Sequence, residues 1–240
     1  MLYLIGLGLN EKTVTEEAKE LIQRCKRVYL ENYTVALPYS QQQLVDEIGK
    51  KVTLANREKV ESLNIVDEAK KMDVALLVYG SPLTATTHIT LIDEAKKSGI
   101  KFKILHNASV LDAVAETGLQ LYKFGKIASM PAWKKSFTPD SFMEIVKENQ
   151  SINAHTLILI DIGLEFPEAL DQLQKSAENH KIKLDKLLVC QTLGTKTSKI
   201  HYKRISQLKE FTGVRTPYCI IIPSEKLHFT EKEFLEGFEY

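Results

Sequence analysis

Residues 76–88 read LLVYGSPLTATTH, and we expect the first domain to be organised around this stretch. The apolar run at its start is rich in residues that favour strands, so it predicts a short buried strand. Gly80, Ser81 and Pro82 then break the strand, because glycine, serine and proline favour tight turns. A Thr-rich segment and helix-like sequence follow. The stretch therefore predicts a buried strand that ends in a turn whose backbone can meet a ligand.

Two other strands of the N-terminal half end in the same kind of turn. Residues 2–5 lead into the glycine turn 6–9, and residues 102–105 lead into the small-residue segment 106–110, where Ser109 is placed to cap a helix. Ligands of open α/β sheets bind beyond the carboxyl ends of the strands. We therefore expect three turns on one rim of a sheet.

Helical sequence separates these strands. It covers residues 15–27, 41–48 and 57–71, and two further strands are predicted at residues 27–30 and 51–54. Alternation of strands and helices, with connections long enough for a crossover, is typical of a parallel sheet. The N-terminal half is predicted to be a mostly parallel α/β sheet.

A dinucleotide-binding fold is an alternative for this half. The GLGL turn lacks the third small residue of the fingerprint G-x-G-x-x-G, because Glu11 stands there. Glu31 follows the second strand, where such folds place a ribose-binding acid. A Rossmann-type nucleotide site at Glu31 therefore stays open.

The C-terminal half is predicted to be a second α/β unit. It has strands at residues 155–161, 186–191 and 217–223, a helix at 167–180, and a Pro-, Trp- and Lys-containing loop that precedes a helix within 127–150. We expect the boundary between residues 100 and 130, with domains 1–115 and 116–240 and a ligand cleft between them.

Composition limits the class of protein. The 240 residues are 44% hydrophobic, and 32 basic against 31 acidic residues leave a net charge of +1, which gives no general attraction to nucleic acid or to an anionic membrane. Cys25, Cys190 and Cys219 are odd in number and widely spaced, so they predict reduced thiols. His106 and His155 do not have zinc-site spacing. With no apolar run of about 20 residues and no leader pattern, we expect a cytoplasmic protein without a metal.

Several blocks, taken in order, resemble the diphthine synthases, a family in the tetrapyrrole-methylase-like class of S-adenosylmethionine methyltransferases. The blocks ATTH at residues 85–88 and LYKFG at 121–125 are highly specific. The resemblance covers the whole chain and also rests on GLGL at 6–9, ENYT at 31–34, GSPL at 80–83, NAS at 107–109, TGLQ at 117–120, PDSF at 139–142, the strand 155–161 and KLH at 226–228.

The resemblance implies two α/β domains with the cofactor in the cleft between them, and an S-adenosylmethionine-dependent N-methyltransferase. The acceptor it implies is the amino group of 3-amino-3-carboxypropyl-histidine in translation elongation factor 2, which gives diphthine and S-adenosylhomocysteine. It also implies a homodimer. The chain length favours a trimethylating enzyme of the archaeal type.

Carried over by position, the family's cofactor contacts fall on eight residues: Leu9, Ser81, Thr84, Ser109, Val110, Ile160, Leu193 and Tyr218. The family usually has Asp where this chain has Ser81, and His where it has Tyr218. A hydroxyl lacks the charge-assisted hydrogen bonds of a carboxylate, so the first exchange is expected to weaken cofactor binding. Tyr218 keeps an aromatic face and a donor.

The sequence identifies no catalytic acid or base. His88 is expected to fix the turn before its helix, Asp112 to be solvated or a local hydrogen-bond partner, and residues 122–125 to be a packing element. Asp161 ends a buried strand near the expected cleft and is a candidate for substrate contact. Residues 133–135, WKK, are interpreted as a solvated loop, with docking of the protein substrate as the alternative.

Two other functions compete with this one. A related methyltransferase that acts on a corrin or other tetrapyrrole precursor is disfavoured by the LYKFG block. A catalytically weakened S-adenosylmethionine-binding relative is suggested by Ser81 and Tyr218.

Overall fold

The structure is a computed structural model that describes residues 1–239. The chain forms two compact units, the first of which is Met1–Asp112, while the second starts at Ala113. Each unit contains its own five-stranded sheet with helices, which confirms the expected pair of α/β units. The division into domains 1–115 and 116–240 stays a prediction.

The sheet of the first unit has the order β3-β2-β4-β1-β5, and all of its strand pairs are parallel. This confirms the parallel sheet expected from the alternation of strands and helices. Its strands are β1 (Leu2–Gly6), β2 (Arg27–Glu31), β3 (Thr53–Ala55), β4 (Val74–Val78) and β5 (Phe102–Leu105).

The two faces of this sheet are both covered. Along β1 and β4, Ile5 and Leu77 point into one apolar core, whereas Leu4 and Leu76 point into another. Because successive side chains of a strand face opposite ways, strands buried on both sides need continuous apolar runs. This requirement explains the uninterrupted sequence VALLV of β4.

Six helices belong to the connections and to the end of this unit: α1 (Glu16–Arg24), α2 (Gln41–Ile48), α3 (Arg57–Glu61), α4 (Asn64–Ala69), α5 (Ile89–Lys97) and α6 (Val110–Ala113). Thr15 caps α1, with its hydroxyl 3.2 Å from the backbone nitrogen of Ala18. Ser40 and Gln43 form a capping box at the start of α2.

The prediction of a single helix over residues 57–71 is wrong, because the helix is interrupted between α3 and α4. Leu63 has a left-handed backbone with φ of 63°. The break lets Val60 before it and Ile65 after it reach the same apolar core. The charged sequence 57–71 reads as one continuous helix, because nothing near Leu63 in the sequence marks the break. Only tertiary packing makes the left-handed conformation of Leu63 favourable.

The sheet of the second unit has the order β6-β7-β10-β8-β9 and is mixed. The pair β6 and β7 is parallel, and the other pairs are antiparallel. Its strands are β6 (Ala128–Met130), β7 (Thr156–Ile160), β8 (Lys186–Gln191), β9 (Lys199–Arg204) and β10 (Tyr218–Ile222). Its helices are α7 (Phe142–Ser151), α8 (Phe166–Asn179), α9 (Ile205–Lys209) and α10 (Phe229–Glu236).

Strands β6 and β9 were not predicted. They lie at the two edges of the sheet, where one is only three residues long and the other carries exposed or half-buried Lys, His and Arg. Short or charged edge strands protect a sheet from further pairing, and neither β6 nor β9 has the apolar pattern of a buried strand.

Candidate functional site

The turn after β1 and the turn after β4 are joined beyond the ends of their strands. Gly8 donates its N–H to the carbonyl of Gly80 at 3.2 Å, and Gly80 donates back to Gly8 at 2.9 Å. A Cβ on Gly6 would lie 2.7 Å from the Gly80 carbonyl oxygen and 2.9 Å from the ring of Pro82. The two turns therefore approach as closely as they do because position 6 has no side chain.

Asn107 fastens the third turn, after β5, to the first. Its side-chain amide donates to the carbonyl of Gly6 at 3.2 Å and to that of Thr13 at 2.9 Å. Gly80, with φ of 73°, lies against Ser109, whose α-carbon is 3.6 Å from the position of a Cβ on Gly80. The sequence prediction that these three turns share one rim is confirmed.

Five of the predicted cofactor contacts lie on this rim. Leu9 is buried, and its carbonyl accepts the Tyr79 hydroxyl at 3.1 Å. Ser81 and Thr84 are half-buried in the turn after β4, where Thr84 donates its N–H to the Ser81 carbonyl at 3.2 Å. The remaining two are Ser109 and Val110.

Ser109 caps α6, as predicted. Its hydroxyl accepts the N–H of Leu111 at 3.2 Å and donates to a carboxylate oxygen of Asp112 at 3.1 Å, which also accepts the Ser109 N–H at 2.7 Å. Asp112 is thus a local hydrogen-bond partner, in agreement with the sequence. The side chain of Ser109 thus stabilises this loop, and a cofactor contact by Ser109 stays a prediction.

The other three predicted contacts lie at the same end of three neighbouring strands, β7, β10 and β8, in the second unit. Ile160 is the last residue of β7, Tyr218 is the first of β10, and Leu193 follows β8. The register pairs Leu159 with Cys219 and Tyr218 with Gln191, which brings these strand ends side by side.

The Tyr218 side chain faces its own core. Its hydroxyl donates to the carbonyl of Leu164 at 2.9 Å, and its ring meets that of Phe166 edge-on at 5.8 Å. Burial, with smaller contributions from Glu165 and Glu168, raises the pKa of Tyr218 well above its usual value, so the hydroxyl keeps its proton. The donor that the sequence offered is therefore already used within the unit.

His88 fixes the turn after β4, as expected from the sequence. The side chain is fully buried, with Nδ1 3.0 Å from the carbonyl of Pro82 and Nε2 3.4 Å from the Tyr33 hydroxyl. A carbonyl only accepts, so Nδ1 carries the proton and Nε2 accepts from the tyrosine. The ATTH block thus closes the turn and anchors it to the loop after β2.

Glu31 stabilises its own loop. One carboxylate oxygen accepts the N–H groups of Tyr33 and Thr34 at 2.6 and 2.7 Å, and the other accepts the Thr34 hydroxyl at 2.5 Å. Both oxygens of this buried carboxylate already accept hydrogen bonds from the loop, so they are not directed at ribose hydroxyls. The geometry therefore disfavours the Rossmann-type site at Glu31.

Asp161 likewise serves the backbone around it. One oxygen accepts the N–H of Ala132 at 3.1 Å and the other accepts that of Ile162 at 3.0 Å. The carboxylate holds the segment after β6 against the end of β7. A substrate contact by Asp161 stays a prediction.

A buried charge network in the second unit was missed by sequence reasoning. The Glu231 carboxylate accepts from Lys123 Nζ at 2.7 Å and from His155 Nε2 at 3.0 Å, and also from the backbone N–H groups of Gln120 and His228 at 3.1 and 2.8 Å. Burial alone would raise the pKa of Glu231, but these donors outweigh it and lower the pKa to about 2.

The network explains the two distinctive C-terminal blocks. Lys123 also donates to the carbonyl of Lys226 at 2.6 Å, which ties LYKFG to KLH. The Ser224 N–H donates to His155 Nδ1 at 2.9 Å, so His155 is neutral with its proton on Nε2, and burial lowers its pKa. Residues 123–125 pack as predicted, with the Phe124 ring 5.2 Å from that of His155, whereas Tyr122 is 85% exposed. One sequence signal for the network was available: Glu231 follows His228 by three residues at the start of a helix, which is the spacing of a capping box.

Within residues 1–239, no group of three or more His, Cys, Asp or Glu side chains is arranged to hold a metal ion. In the same part of the chain, no helix is long and apolar enough to cross a membrane. The rim of the first unit instead offers backbone donors and acceptors at strand ends and close backbone approach, which suits a polar organic ligand.

Residues 1–209 match the model of the family described as Tetrapyrrole (Corrin/Porphyrin) Methylases, which defines the class of protein. A relative named diphthine methyl ester synthase, from Mus musculus, is 35% identical over 270 residues, covering 99% of this chain and 96% of the relative.

Two solved structures are also similar. One, from Entamoeba histolytica, has a TM-score of 0.90 and 32% identity over 100% of this chain and 98% of that chain. The other, a crystal structure of diphthine synthase, has a TM-score of 0.90 and 29% identity over 99% and 95% of the two chains. The chain belongs to the tetrapyrrole methylase family and, within it, to the group of the diphthine methyl ester synthases.

Proposed function

We propose that this protein transfers methyl groups from S-adenosylmethionine to the amino group of 3-amino-3-carboxypropyl-histidine in translation elongation factor 2, the step of diphthamide biosynthesis that gives diphthine. The observation that carries this proposal is the similarity to a diphthine methyl ester synthase over nearly the whole length of both chains. The buried network supports it as well. Lys123 joins the LYKFG block to the KLH block, so two sequence blocks typical of the family meet in one structural unit.

S-adenosylmethionine supplies the reactive methyl group on its sulfonium. The cradle for it is formed by backbone at the strand ends, where Gly80, with φ of 73°, lies against Ser109 without a side chain on the rim. We assign the cofactor contacts in each unit to the residues that the family pattern marks. These are Leu9, Ser81, Thr84, Ser109, Val110, Ile160, Leu193 and Tyr218.

Positioning is the main contribution that these residues make to the rate. Charge disperses during methyl transfer from a sulfonium, so fixed geometry and exclusion of water matter more than acid or base catalysis. The acceptor amine must be unprotonated before it attacks, and its proton goes to water or to a carboxylate of the substrate. We assign no residue of this chain as a catalytic base.

The names of the relatives extend the proposal. A methyl ester requires transfer to a carboxylate oxygen as well as to the amine. We therefore infer that this chain also esterifies the carboxylate of the modified side chain, in place of stopping at the trimethylated amine that the chain length suggested.

The setting follows from the substrate. We propose a cytoplasmic enzyme that acts as a homodimer on a translation factor, without nucleic acid or membrane as a partner. Sedimentation of the purified protein would measure the oligomeric state directly.

Methyl transfer to purified elongation factor 2 that carries the unmethylated intermediate tests the function. Label transferred from S-adenosylmethionine to the factor supports the proposal. Transfer to a tetrapyrrole precursor instead would favour the second candidate function, which the description of the family suggests. No cofactor binding by calorimetry at high micromolar concentration would favour a catalytically weakened relative that acts as a binding or regulatory module for another molecule.

A further inference from the structure

The loop at residues 133–139 leaves the second sheet beside a predicted cofactor contact. It follows β6, whose last residue, Met130, pairs with Ile160 at the end of β7. Asp161 donates its N–H to the Met130 carbonyl at 3.1 Å, and its carboxylate accepts the N–H of Ala132. The start of the loop is thus fixed to the strand end that carries Ile160.

The base of the loop is held rigidly. Gln172 on α8, buried, accepts the Trp133 N–H at 3.0 Å and donates to the Pro131 carbonyl at 3.0 Å. The Trp133 indole donates to the carbonyl of Pro139 at 3.0 Å, which closes the loop. Hydrogen bonds from the side chains of Gln172 and Trp133 therefore set its shape.

The tip of the loop is a tight hairpin. Lys134 and Phe137 exchange both backbone hydrogen bonds, at 2.9 and 3.0 Å. Phe137 is 60% exposed, and Lys134 and Lys135 are exposed beside it. Among residues 1–239 no carboxylate forms an ion pair with either lysine. A rigid support with an exposed aromatic ring and two available cations is what a protein interface uses as an anchor.

We propose that this hairpin, residues 133–139, docks the protein substrate by contacting a surface with apolar and acidic side chains next to the modified histidine. The inference rests on the proposed function. The methyl acceptor is a side chain of a folded protein, so the enzyme must hold the surface around that side chain close to the methyl donor. The hairpin is exposed, preorganised and continuous with the strand end assigned to cofactor binding, and its positive charge selects an acidic partner surface.

The test is steady-state methyl transfer with two variants, Phe137→Ala and the pair Lys134→Glu with Lys135→Glu. We expect KM for the factor to rise roughly tenfold for Phe137→Ala at all salt concentrations, since an aromatic anchor acts by burial. For the charge-reversed pair we expect a rise of about tenfold or more at low salt that shrinks as salt is added. The dissociation constant of S-adenosylmethionine and the melting temperature should stay unchanged in both.

Matched controls come from the same unit. Lys209→Glu with Lys232→Glu reverses two exposed lysines, one on α9 and one on α10, and Phe229→Ala removes another exposed ring. These variants should leave KM unchanged. Equal KM for the hairpin variants and the wild type, or equal effects in the controls, would overturn the inference.

Failure of the proposed function has a separate signature. If the wild type itself transfers no methyl group to the factor, the function is wrong. Binding of labelled factor to the wild type and to the two hairpin variants, measured by fluorescence anisotropy, then decides the inference on its own. Weaker binding by the hairpin variants supports it, and equal or undetectable binding by all three contradicts it.

Discussion

Replacing Glu231 by Gln removes the charge at the centre of the buried network while it keeps the size of the side chain. In the folded protein the pKa of this carboxyl is about 2, against a reference value of 4.5. Each pKa unit corresponds to about 1.4 kcal/mol, so ionisation of Glu231 stabilises the folded protein by about 3 kcal/mol at neutral pH. If the amide NH2 of Gln faces Lys123, the ammonium meets a donor in place of the carboxylate and keeps the Lys226 carbonyl as its acceptor.

The pH dependence gives the reasoning a sharper test. Because the folded pKa is lowered, the stabilisation is complete above pH 4.5 and is lost as the pH falls toward 2. The difference between wild type and variant should therefore shrink from about 3 kcal/mol at pH 7 to about half at pH 3. His155, whose pKa burial lowers, disfavours folding as the pH falls below 6.5 in both proteins.

Urea unfolding measured by the fluorescence of Trp133, the only tryptophan of the chain, reports on the second unit. The matched control is Glu233→Gln on the same helix, where the side chain is exposed and the expected change is within about 0.5 kcal/mol. A loss below about 1 kcal/mol for Glu231→Gln, or a loss that does not depend on pH, would refute the assigned role of the network.

Three further predictions concern the rim of the first unit. Gly6→Ala places a Cβ 2.7 Å from the Gly80 carbonyl oxygen and should weaken S-adenosylmethionine binding at least tenfold by calorimetry. Gly99→Ala has open space but a φ of 65°, so it should cost about 1–2 kcal/mol of stability and leave binding unchanged. His88→Ala should cost about 2–4 kcal/mol of stability and loosen the turn, visible as a lower melting temperature with a smaller upward shift on adding cofactor; an unchanged shift would show that His88 does not support the site. Ser81→Asp should tighten cofactor binding about tenfold by restoring a charged acceptor, and weaker binding would mean that the turn does not face the cofactor.

The parallel sheet and its three turns could be predicted because β1, β4 and β5 are apolar runs that end in small residues. The break at Leu63 could not, since a left-handed leucine is favourable only when the helices around it pack onto one core. The same holds for the edge strands, because β6 is only three residues long and β9 shows no alternating apolar pattern among its Lys, His, Tyr and Arg residues. The sequence around a residue does not show which distant segments will pack against it.

The candidate site divides in the same way. The sequence predicted that His88 fixes the turn, but only the structure shows that its ring connects the Pro82 carbonyl with the Tyr33 hydroxyl. Tyr218 looked like an available donor, yet its hydroxyl is bound to Leu164. Glu231 was hidden because its partners Lys123 and His155 are far away along the chain.

Mass spectrometry of elongation factor 2, after incubation of the unmethylated intermediate with this protein and S-adenosylmethionine, tests the central claim most directly. We predict methylation confined to the modified histidine side chain, on its amine and as an alkali-labile ester on its carboxylate. A factor that remains unmethylated, under conditions in which the protein binds S-adenosylmethionine, would contradict the account.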